Sequence, residues 1–572
     1  MNIAIKHIIK SNPTYTLILF LLLILQGVSP AINLYLSKLL VDALIGSVSN
    51  TLSVHLLLIL WVGSLLGIQL LQPLVNLVQG DVCELATRHI NINILDAVNK
   101  SHSIEQFDHE ERYNNLELLR QQASYRPLNF IVTLVTLLRS SITGISIAFV
   151  LYQSAGAIAI LMAISILPLL AINMKVEEKN WKTLVSGSKE SIIMKYIYQL
   201  STDKQNLQEI RLFGLNRYLK GKYLKGSIGL FQRMHRQRKV ALFYPLPAIL
   251  FTAAVLLYGI YHFKSLADEG VLTASMLVVL LQSLIVFKGI LEDIAIYGAN
   301  IIGVSKFFKQ YDDFVNENAY DLSNGELLLE KKEAYGLHLE KVDFTYYGSD
   351  KPSLKSVSLN IAPGAKVAIV GENGCGKSTL IKLLLRMYEP TQGKIIFDGI
   401  EIENYNVKRL REQISTVFQD FGQYQTTPFE NITFQPYSKD HKELEQVEAL
   451  LAKMQLTLAA DTQLGKPFSG IDLSGGMWQK LAVARALYRS SGVTIFDEFS
   501  ASLDPLIERN LFDLLLTLPS TVIAVTHRLN GINKFDQIIV MQSGEVVETG
   551  TFDSLMSKES VFNRMWNAQQ HQ

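Results

Sequence analysis

The fold of the C-terminal half of this chain follows from nine residues, Gly371-Glu-Asn-Gly-Cys-Gly-Lys-Ser-Thr379. They come directly after a short apolar segment at 366–370 that has the pattern of a buried strand, and they lead into an apolar helical segment at 380–387. A glycine-rich loop of this pattern between a strand and a helix is typical of a phosphate-binding loop. Its glycines let backbone N–H groups converge on phosphate oxygens, and the helix points its positive N-terminal end at the same anion. The sequence therefore predicts an α/β domain that binds a nucleotide.

Individual loop residues have distinct expected roles. Lys377 should neutralise the β- and γ-phosphates, Ser378 should supply a hydroxyl to Mg²⁺, and Thr379 should add a phosphate contact. The loop residues predicted to bind the nucleotide are Gly371, Asn373, Gly374, Cys375, Gly376, Lys377, Ser378 and Thr379.

A second element is predicted to bring two carboxylates to this loop. Residues 493–496, Val-Thr-Ile-Phe, have the pattern of a buried strand, and Asp497 and Glu498 follow directly. Nucleotide crevices form at the carboxyl ends of parallel strands, so both side chains should reach the phosphates. We expect Asp497 to bind Mg²⁺ and Glu498 to act as the general base that activates water. An acidic pair after an apolar run is more often only a strand end, but its combination with the phosphate loop favours hydrolysis.

Between these elements lies Leu473-Ser-Gly-Gly476, at the head of an alanine-rich helical segment. With this motif the chain resembles the ATP-binding cassette family, and specifically exporters that fuse six membrane helices to one ATPase domain. The motif is the most specific part of the resemblance because other phosphate-loop ATPases lack it. The resemblance implies that ATP and Mg²⁺ are the cofactors and that Ser474, Gly475 and Gly476 contact ATP. Met477 stands where the family usually has glutamine, and we expect only a modest effect on activity.

Four further positions match motifs of the family. Tyr346 matches the aromatic residue that stacks on adenine, and Gln419 matches the glutamine that touches Mg²⁺ and the membrane domain. Asp504 lies in a Ser-Leu-Asp sequence that resembles the dimer-interface loop. His527 resembles the switch histidine that contacts the γ-phosphate. The resemblance thus implies catalytic roles for Glu498, His527 and Gln419, and metal binding by Ser378, Gln419 and Asp497.

The N-terminal half has the composition of a membrane protein. Hydrophobic residues make up 49% of the chain, charged residues only 18%, and the mean hydropathy is +0.21. A net charge of +1 gives no basic field for nucleic acid, and two cysteines cannot form a disulfide framework. Six apolar runs are close in length to the roughly twenty residues that a membrane-crossing helix needs. They are 15–36, 54–75, 130–152, 155–174, 241–263 and 276–297.

The distribution of lysine and arginine predicts the orientation. The segment 175–239 and the segment between the second and third runs are rich in both, so we expect them, and both termini, to be cytoplasmic. The predicted fold is an all-α membrane domain of six transmembrane helices at 1–308, with long cytoplasmic helical extensions. A polar linker at 309–336 and an α/β phosphate-loop ATPase domain at 337–572 follow. The lack of a targeting presequence and the bacterial character of the resemblance favour a bacterial plasma membrane.

One phosphate loop and one signature motif per chain imply a dimer. In the family, each ATP lies between the phosphate loop of one subunit and the signature motif of the other, so two chains must meet head to tail. No catalytic position is degenerate, which favours a homodimer over the alternative of a heterodimer. Short helices near 107–114 and 211–216 are expected to transmit closure of the ATPase domains to the membrane; ordinary exposed turns are an equal alternative.

Residues on both sides of the signature motif bear on the cargo. Trp478-Gln-Lys480 after the signature, and Gly465, Gly470 and Asp472 before it, resemble exporters of ribosomally made bacterial peptides such as lantibiotics. The favoured function is therefore ATP-driven export of a peptide by alternating access. Export of a lipid or hydrophobic drug is the nearest alternative, and an ATP-gated channel or regulator is a further one.

Charged residues inside the apolar runs are candidates for cargo contact. Arg139 lies in the third run, and Lys288 and Glu292 lie one helical turn apart in the sixth. The alternative is that Lys288 and Glu292 neutralise each other and that Arg139 faces an aqueous cavity.

Overall fold

The computed structural model describes residues 2–45, 53–186, 188–270, 272–316, 322, 325–438, 440–498, 505–529, 531–557 and 559–570. The chain divides into two compact units. The first comprises Met1–Val98 and Asn114–Glu317, and the second comprises Asn99–Tyr113 and Asn318–Gln572. The phosphate loop and the acidic pair belong to the second unit.

The first unit is built from long helices. They are α1 (Asn2–Ser11), α2 (Pro13–Ile45), α3 (Val54–Lys100), α4 (Glu110–Gln122), α5 (Arg126–Ser165), α6 (Leu167–Ser186), α7 (Ser188–Thr202), α8 (Lys204–Leu212), α9 (Asn216–Phe243), α10 (Leu246–Asp268) and α11 (Ala274–Asn316). Pro30 and Pro73 lie inside α2 and α3. Proline inside a helix is tolerated in a membrane bundle, where neighbouring groups satisfy the freed carbonyls.

Five described helical segments are long and apolar enough to cross a membrane. They are Pro13–Leu44, Val54–Lys100, Arg126–Tyr152, Ala157–Trp181 and Asn216–Asp268. Large apolar side chains on them point outward, as in Ile59, Leu70 and Ile145, which are 68%, 69% and 73% exposed. Exposed apolar surface on this scale marks contact with another apolar phase. The first unit is therefore a multi-pass membrane domain.

The sixth predicted run lies in α11 and contains three charged residues, Lys288, Glu292 and Asp293. As a membrane crossing it stays a prediction. The structure also carries this helix past residue 308, where the sequence placed the end of the membrane domain. Phe307, Phe308, Tyr311 and Phe314 recur at helical spacing and are buried in a core shared with α3 and α5. Their burial explains why α11 continues through the first part of the expected linker.

The second unit contains two sheets and short helices. The strands are β1 (Leu337–Phe344), β2 (Leu354–Ile361), β3 (Lys366–Gly371), β4 (Gln392–Phe397), β5 (Ile400–Glu401), β6 (Ile414–Val417), β7 (Val493–Asp497), β8 (Thr521–Val525), β9 (Gln537–Gln542) and β10 (Glu545–Gly550). The helices are α12 (Lys377–Leu384), α13 (Val407–Glu412), α14 (Pro428–Thr433), α15 (His441–Lys453), α16 (Gly475–Tyr488), α17 (Pro505–Leu516), α18 (Phe552–Met556) and α19 (Val561–Gln570).

The larger sheet positions the functional residues. Its strand order is β10-β9-β3-β8-β7-β6, and β3, β8, β7 and β6 are parallel. Every residue of β3, β7 and β8 is buried, as expected for strands covered on both faces. The carboxyl ends of these four parallel strands share one edge. The phosphate loop, Gln419, the acidic pair and His527 each follow one of these strands, so the topology gathers segments that are far apart in sequence. The smaller antiparallel sheet has the order β2-β1-β4-β5.

Candidate nucleotide-binding site

The phosphate loop connects β3 to α12 through a backbone that requires glycine. Gly374 and Gly376 have φ angles of +77° and +107°. A Cβ atom on Gly376 would lie 2.7 Å from the carbonyl oxygen of Ser353, and one on Gly371 would lie 2.3 Å from that of Met541. Any side chain at either position would collide with backbone. The loop conformation thus follows directly from the glycine spacing.

Lys377 is held in the centre of the loop. Its side chain is 95% buried, and Nζ donates to the carbonyl oxygens of Gly371 and Glu372, each at 2.9 Å. Cys375 lies beside it, with Sγ 3.9 Å from the lysine Nζ. Burial raises the pKa of the Cys375 thiol, and the nearby lysine opposes that shift. The loop therefore presents one fixed positive charge and a neutral thiol.

Asp497, at the end of β7, is a buried acid beside the phosphate loop. Burial raises the pKa of its carboxyl group, and a hydrogen bond with Ser378 opposes the rise. Its Oδ1 atom is buried and has no hydrogen-bond partner among the described residues. An unpaired carboxylate oxygen next to a serine hydroxyl is the type of oxygen ligand set that Mg²⁺ prefers. The residues present therefore fit a Mg²⁺ ion.

Glu498 lies at the meeting point of three strand ends. Its Oε2 atom accepts a hydrogen bond of 2.9 Å from Nε2 of Gln419 and lies 3.7 Å from Nδ1 of His527. The backbone of Glu498 has a φ of +48°, which for a residue other than glycine costs about 1–3 kcal/mol. Its N–H bonds the carbonyl of Val525, which holds this conformation. The structure thus brings together the three residues to which the sequence analysis assigned catalysis.

Tyr346 lies beside the phosphate loop, where an adenine-stacking residue is expected. Its hydroxyl is 3.1 Å from Oγ1 of Thr379, and its ring packs edge-on against Tyr388 at 5.3 Å between centroids. Lys382 lies over the rings of both tyrosines. Sequence reasoning missed Lys382 and Tyr388. The spacing of Lys382, three residues after Thr379 on the same helix, was an available signal.

The signature motif is open to solvent in the single chain. Ser474 caps α16, its side chain accepting a hydrogen bond of 3.3 Å from the N–H of Met477. Ser474 and Gly475 are exposed, and Gly476 is half-buried. A Cβ atom on Gly475 would meet nothing within 4 Å. Asp504, the predicted dimer-interface residue, lies outside the described residues.

The first of the two expected transmitting segments is part of the ATPase unit. It contains a 3-10 turn, Glu105–Phe107, and the first residues of α4, which begins at Glu110, so the expected helix over 107–114 starts three residues later than predicted. The N–H of Ile104 donates to the carbonyl of Met387 at 3.1 Å, and the hydroxyl of Tyr388 donates to Oδ2 of Asp108 at 2.8 Å. Since Tyr388 also packs against Tyr346, this segment is two contacts away from the predicted adenine site.

The second expected segment lies between α8 and α9 in the membrane unit. Gly214 has a φ of +63°, and the neighbouring Leu212 and Phe213 are 78% and 66% exposed. Two adjacent apolar side chains at the tip of a turn form an unpartnered apolar surface within this unit.

Known proteins resemble this chain over most of its length. The family model described as ABC transporter matches residues 354–501. The subtilin transport ATP-binding protein of Bacillus subtilis is 28% identical over 95% of this chain and 89% of its own length. The nisin transport ATP-binding protein of Lactococcus lactis subsp. lactis is 25% identical, covering 100% of this chain and 96% of its own. An ATP-dependent lipid A-core flippase of Pseudomonas fluorescens is 29% identical over 71% of this chain and 68% of its own.

A solved structure has the same fold. It is described as a bacterial Atm1-family ABC exporter with ATP bound, and it superposes with a TM-score of 0.83. The match covers 97% of this chain and 98% of the other, at 20% sequence identity.

Proposed function

We propose that this chain, an ATP-binding cassette exporter that couples ATP hydrolysis to transport across a membrane, carries an amphiphilic peptide as its cargo. The proposal includes a homodimer that works by alternating access. It places the ATPase domain and both termini in the cytoplasm of a bacterial cell, in keeping with the lysine- and arginine-rich segments between the membrane helices.

The observation that carries the peptide assignment is a cavity of about 680 Å³ along α3, lined by both polar and apolar side chains. One face of this membrane helix contributes several polar side chains to the cavity. They include Asn76, Gln79, Thr87, Arg88 and Asn91. A peptide brings backbone N–H and C=O groups that must be hydrogen-bonded when they leave water. Carboxamide and hydroxyl side chains can form hydrogen bonds with both kinds of group, whereas an acyl chain forms no hydrogen bonds with such side chains.

A ladder of hydrogen bonds extends this polar face deeper into the helices. Gln26 donates to Gln72 at 2.6 Å, and Gln72 donates to Asn76 at 2.8 Å. Arg139 donates at 3.5 Å to Oε1 of Gln72, the oxygen that also accepts the hydrogen bond from Gln26. The guanidinium thus lies at the end of a polar path that begins in the cavity. We assign Arg139 to the cargo path for this reason.

Lys288 and Glu292 have a different role in the proposal. Their side chains form an ion pair of 2.8 Å on α11, each about one-third exposed. A paired lysine and glutamate at this spacing neutralise each other, which lowers the cost of placing either in a membrane helix. We therefore assign the pair to the stability of α11 rather than to cargo contact.

The relatives support a peptide more than a lipid. The subtilin and nisin transport proteins align with this chain over both units, from 95% to 100% of its length. The lipid A-core flippase aligns over 71%. Lipid export stays the second candidate, because the flippase has the slightly higher identity within the part that aligns.

In the proposed reaction, Glu498 takes a proton from the water that attacks the γ-phosphate of ATP. Gln419 and His527 hold its carboxylate in place, and Lys377 balances phosphate charge. A bound Mg²⁺ would be held by Asp497 and Ser378 and would neutralise charge on the phosphates. The other residues proposed to contact the nucleotide are Tyr346, Gly371, Asn373, Gly374, Cys375, Gly376, Thr379, Ser474, Gly475, Gly476 and Asp504.

We expect the Tyr388→Phe variant to weaken coupling without weakening ATP binding. The change removes only the hydroxyl that bonds Asp108, at a cost of about 1 kcal/mol to the docked segment. The ratio of cargo-stimulated to basal ATPase should fall, while the KM for ATP stays the same. Tyr405→Phe is a matched control, because that hydroxyl is also buried and bonds a carbonyl of β4 at 3.2 Å. Equal ratios in both variants would exclude Tyr388 from coupling.

Transport by the purified full chain in liposomes tests the cargo. With ATP outside, a labelled lantibiotic-type peptide should accumulate in vesicles whose ATPase domains face outward, and the Glu498→Gln variant should give none. The transfer of a fluorescent phospholipid between the two leaflets is measured in parallel. Its rate should be no higher than in vesicles without protein. ATP-dependent lipid movement without peptide uptake would replace the proposal with the second candidate.

A further inference from the structure

A second site in the membrane unit differs from the cavity along α3, because its lining is almost wholly apolar. It is a groove of about 520 Å³ between α1, α2, α3 and α5. Among the described residues that line it, only Thr16 is polar, and its hydroxyl already donates to the carbonyl of Asn12 at 2.8 Å. The groove thus offers no polar group to a ligand or to water. Its occupant must be aliphatic. The groove shares no lining residue with the cavity along α3.

The position of the groove in the chain indicates that the occupant is a lipid. Helix α1 ends at Ser11 and α2 begins at Pro13, so the groove lies where the first membrane helix starts. Helix α1 is amphipathic, with Ala4 and Ile8 buried and other apolar residues facing the groove. Such a helix at the start of a span lies at the boundary between headgroups and hydrocarbon. At that depth in the membrane, phospholipids are the most abundant aliphatic molecules.

Charge on α1 selects the headgroup. Lys6 and Lys10 are exposed, four residues apart on one side of the helix, and each directly follows a groove-lining isoleucine, Ile5 or Ile9. Helix α1 contains no acidic residue. Two lysines beside the mouth of an apolar groove complement an anionic headgroup attached to an alkyl chain.

We infer that this groove binds one acyl chain of an anionic phospholipid, with its headgroup at Lys6 and Lys10. The site anchors α1 to the cytoplasmic leaflet. It does not depend on the identity of the cargo, because the lipid stays in place and is not transported.

Lipid retention by the full chain tests the site. The protein is purified in detergent, exposed to an equimolar mixture of phosphatidylglycerol and phosphatidylcholine, repurified, and its retained lipid is measured by extraction and mass spectrometry. We expect the wild type to retain phosphatidylglycerol in preference. In the Lys6→Gln, Lys10→Gln double variant the preference should fall roughly 25-fold, since each lysine near an anionic surface contributes about fivefold.

Filling the groove is the matched structural test. Leu17 lines the groove and is 59% exposed, whereas Leu25 on the same helix is 57% exposed and does not line it. Leu17→Trp should retain less of both lipids, and Leu25→Trp should match the wild type. Equal retention in the two tryptophan variants, or no preference for phosphatidylglycerol in the wild type, would overturn the inference. Neither result would bear on peptide transport, which is measured separately.

Discussion

Replacing Glu498 with glutamine is expected to lower ATP turnover by about two to four orders of magnitude, the range that general bases contribute. Glutamine has the same shape and can still bond Gln419, whose Nε2 now donates to the carboxylate at 2.9 Å. It cannot accept a proton at neutral pH. Binding of ATP should be unchanged, because the phosphate loop and Lys377 are untouched. Turnover is measured by phosphate release, and binding by a fluorescent ATP analogue.

A second buried glutamate provides the control. The side chains of Glu498 and Glu508 are both 12% exposed, and Glu508 accepts a hydrogen bond of 3.0 Å from Arg528 rather than facing the phosphate loop. Glu508→Gln should therefore keep most of the turnover. Near-normal turnover in Glu498→Gln would remove Glu498 as the base. Equal losses in both variants would point to a general effect of removing a buried carboxylate.

Local patterns predicted most of the segments that the structure brings together at the candidate nucleotide site. The phosphate loop is encoded by glycine spacing between a strand and a helix, and the acidic pair by its position directly after an apolar strand. Gln419 and His527 were placed by the family resemblance, and the parallel strand ends explain why they lie near Glu498. What these residues do in the reaction stays a prediction.

The parts that sequence reasoning missed depend on contacts between distant segments. Asp108 and Tyr388 are 280 positions apart, and neither lies in a motif. The segment around Asp108 was expected to be a transmitting element, but its bond to Tyr388 was not predicted; the segment is grouped with the ATPase unit. The polar face of α3 repeats at helical spacing and was visible in the sequence, but charged and polar residues there also suit a cytoplasmic extension. Only packing against α5 distinguishes a cavity wall from an ordinary solvent-exposed face.

The end of α11 was misplaced for a similar reason. The sequence from Lys309 onward is rich in charged residues, which favours a linker. Tyr311 and Phe314 are nevertheless buried against α3 and α5. A helix that is polar on one side and buried on the other has a composition close to that of a linker, so composition alone does not show that α11 continues to Asn316.

The central claim is that each ATP site is completed by a second copy of the chain, because the signature motif is exposed in the single chain. Two variants separate the halves of the site. Lys377→Ala removes the phosphate-loop charge, and Gly475→Asp places a carboxylate where it would repel a partner's ATP. Gly475 has open space around it at a helix N-terminus, where aspartate is favourable, so this variant should fold.

The most direct measurement is the ATPase activity of the two variants purified alone and after their subunits are mixed. Each variant alone should be inactive. In a mixed dimer, the intact phosphate loop of one chain meets the intact signature of the other, so random mixing should restore about a quarter of wild-type activity. Activity in the mixture that stays at the level of the two inactive parents would contradict a site shared between chains.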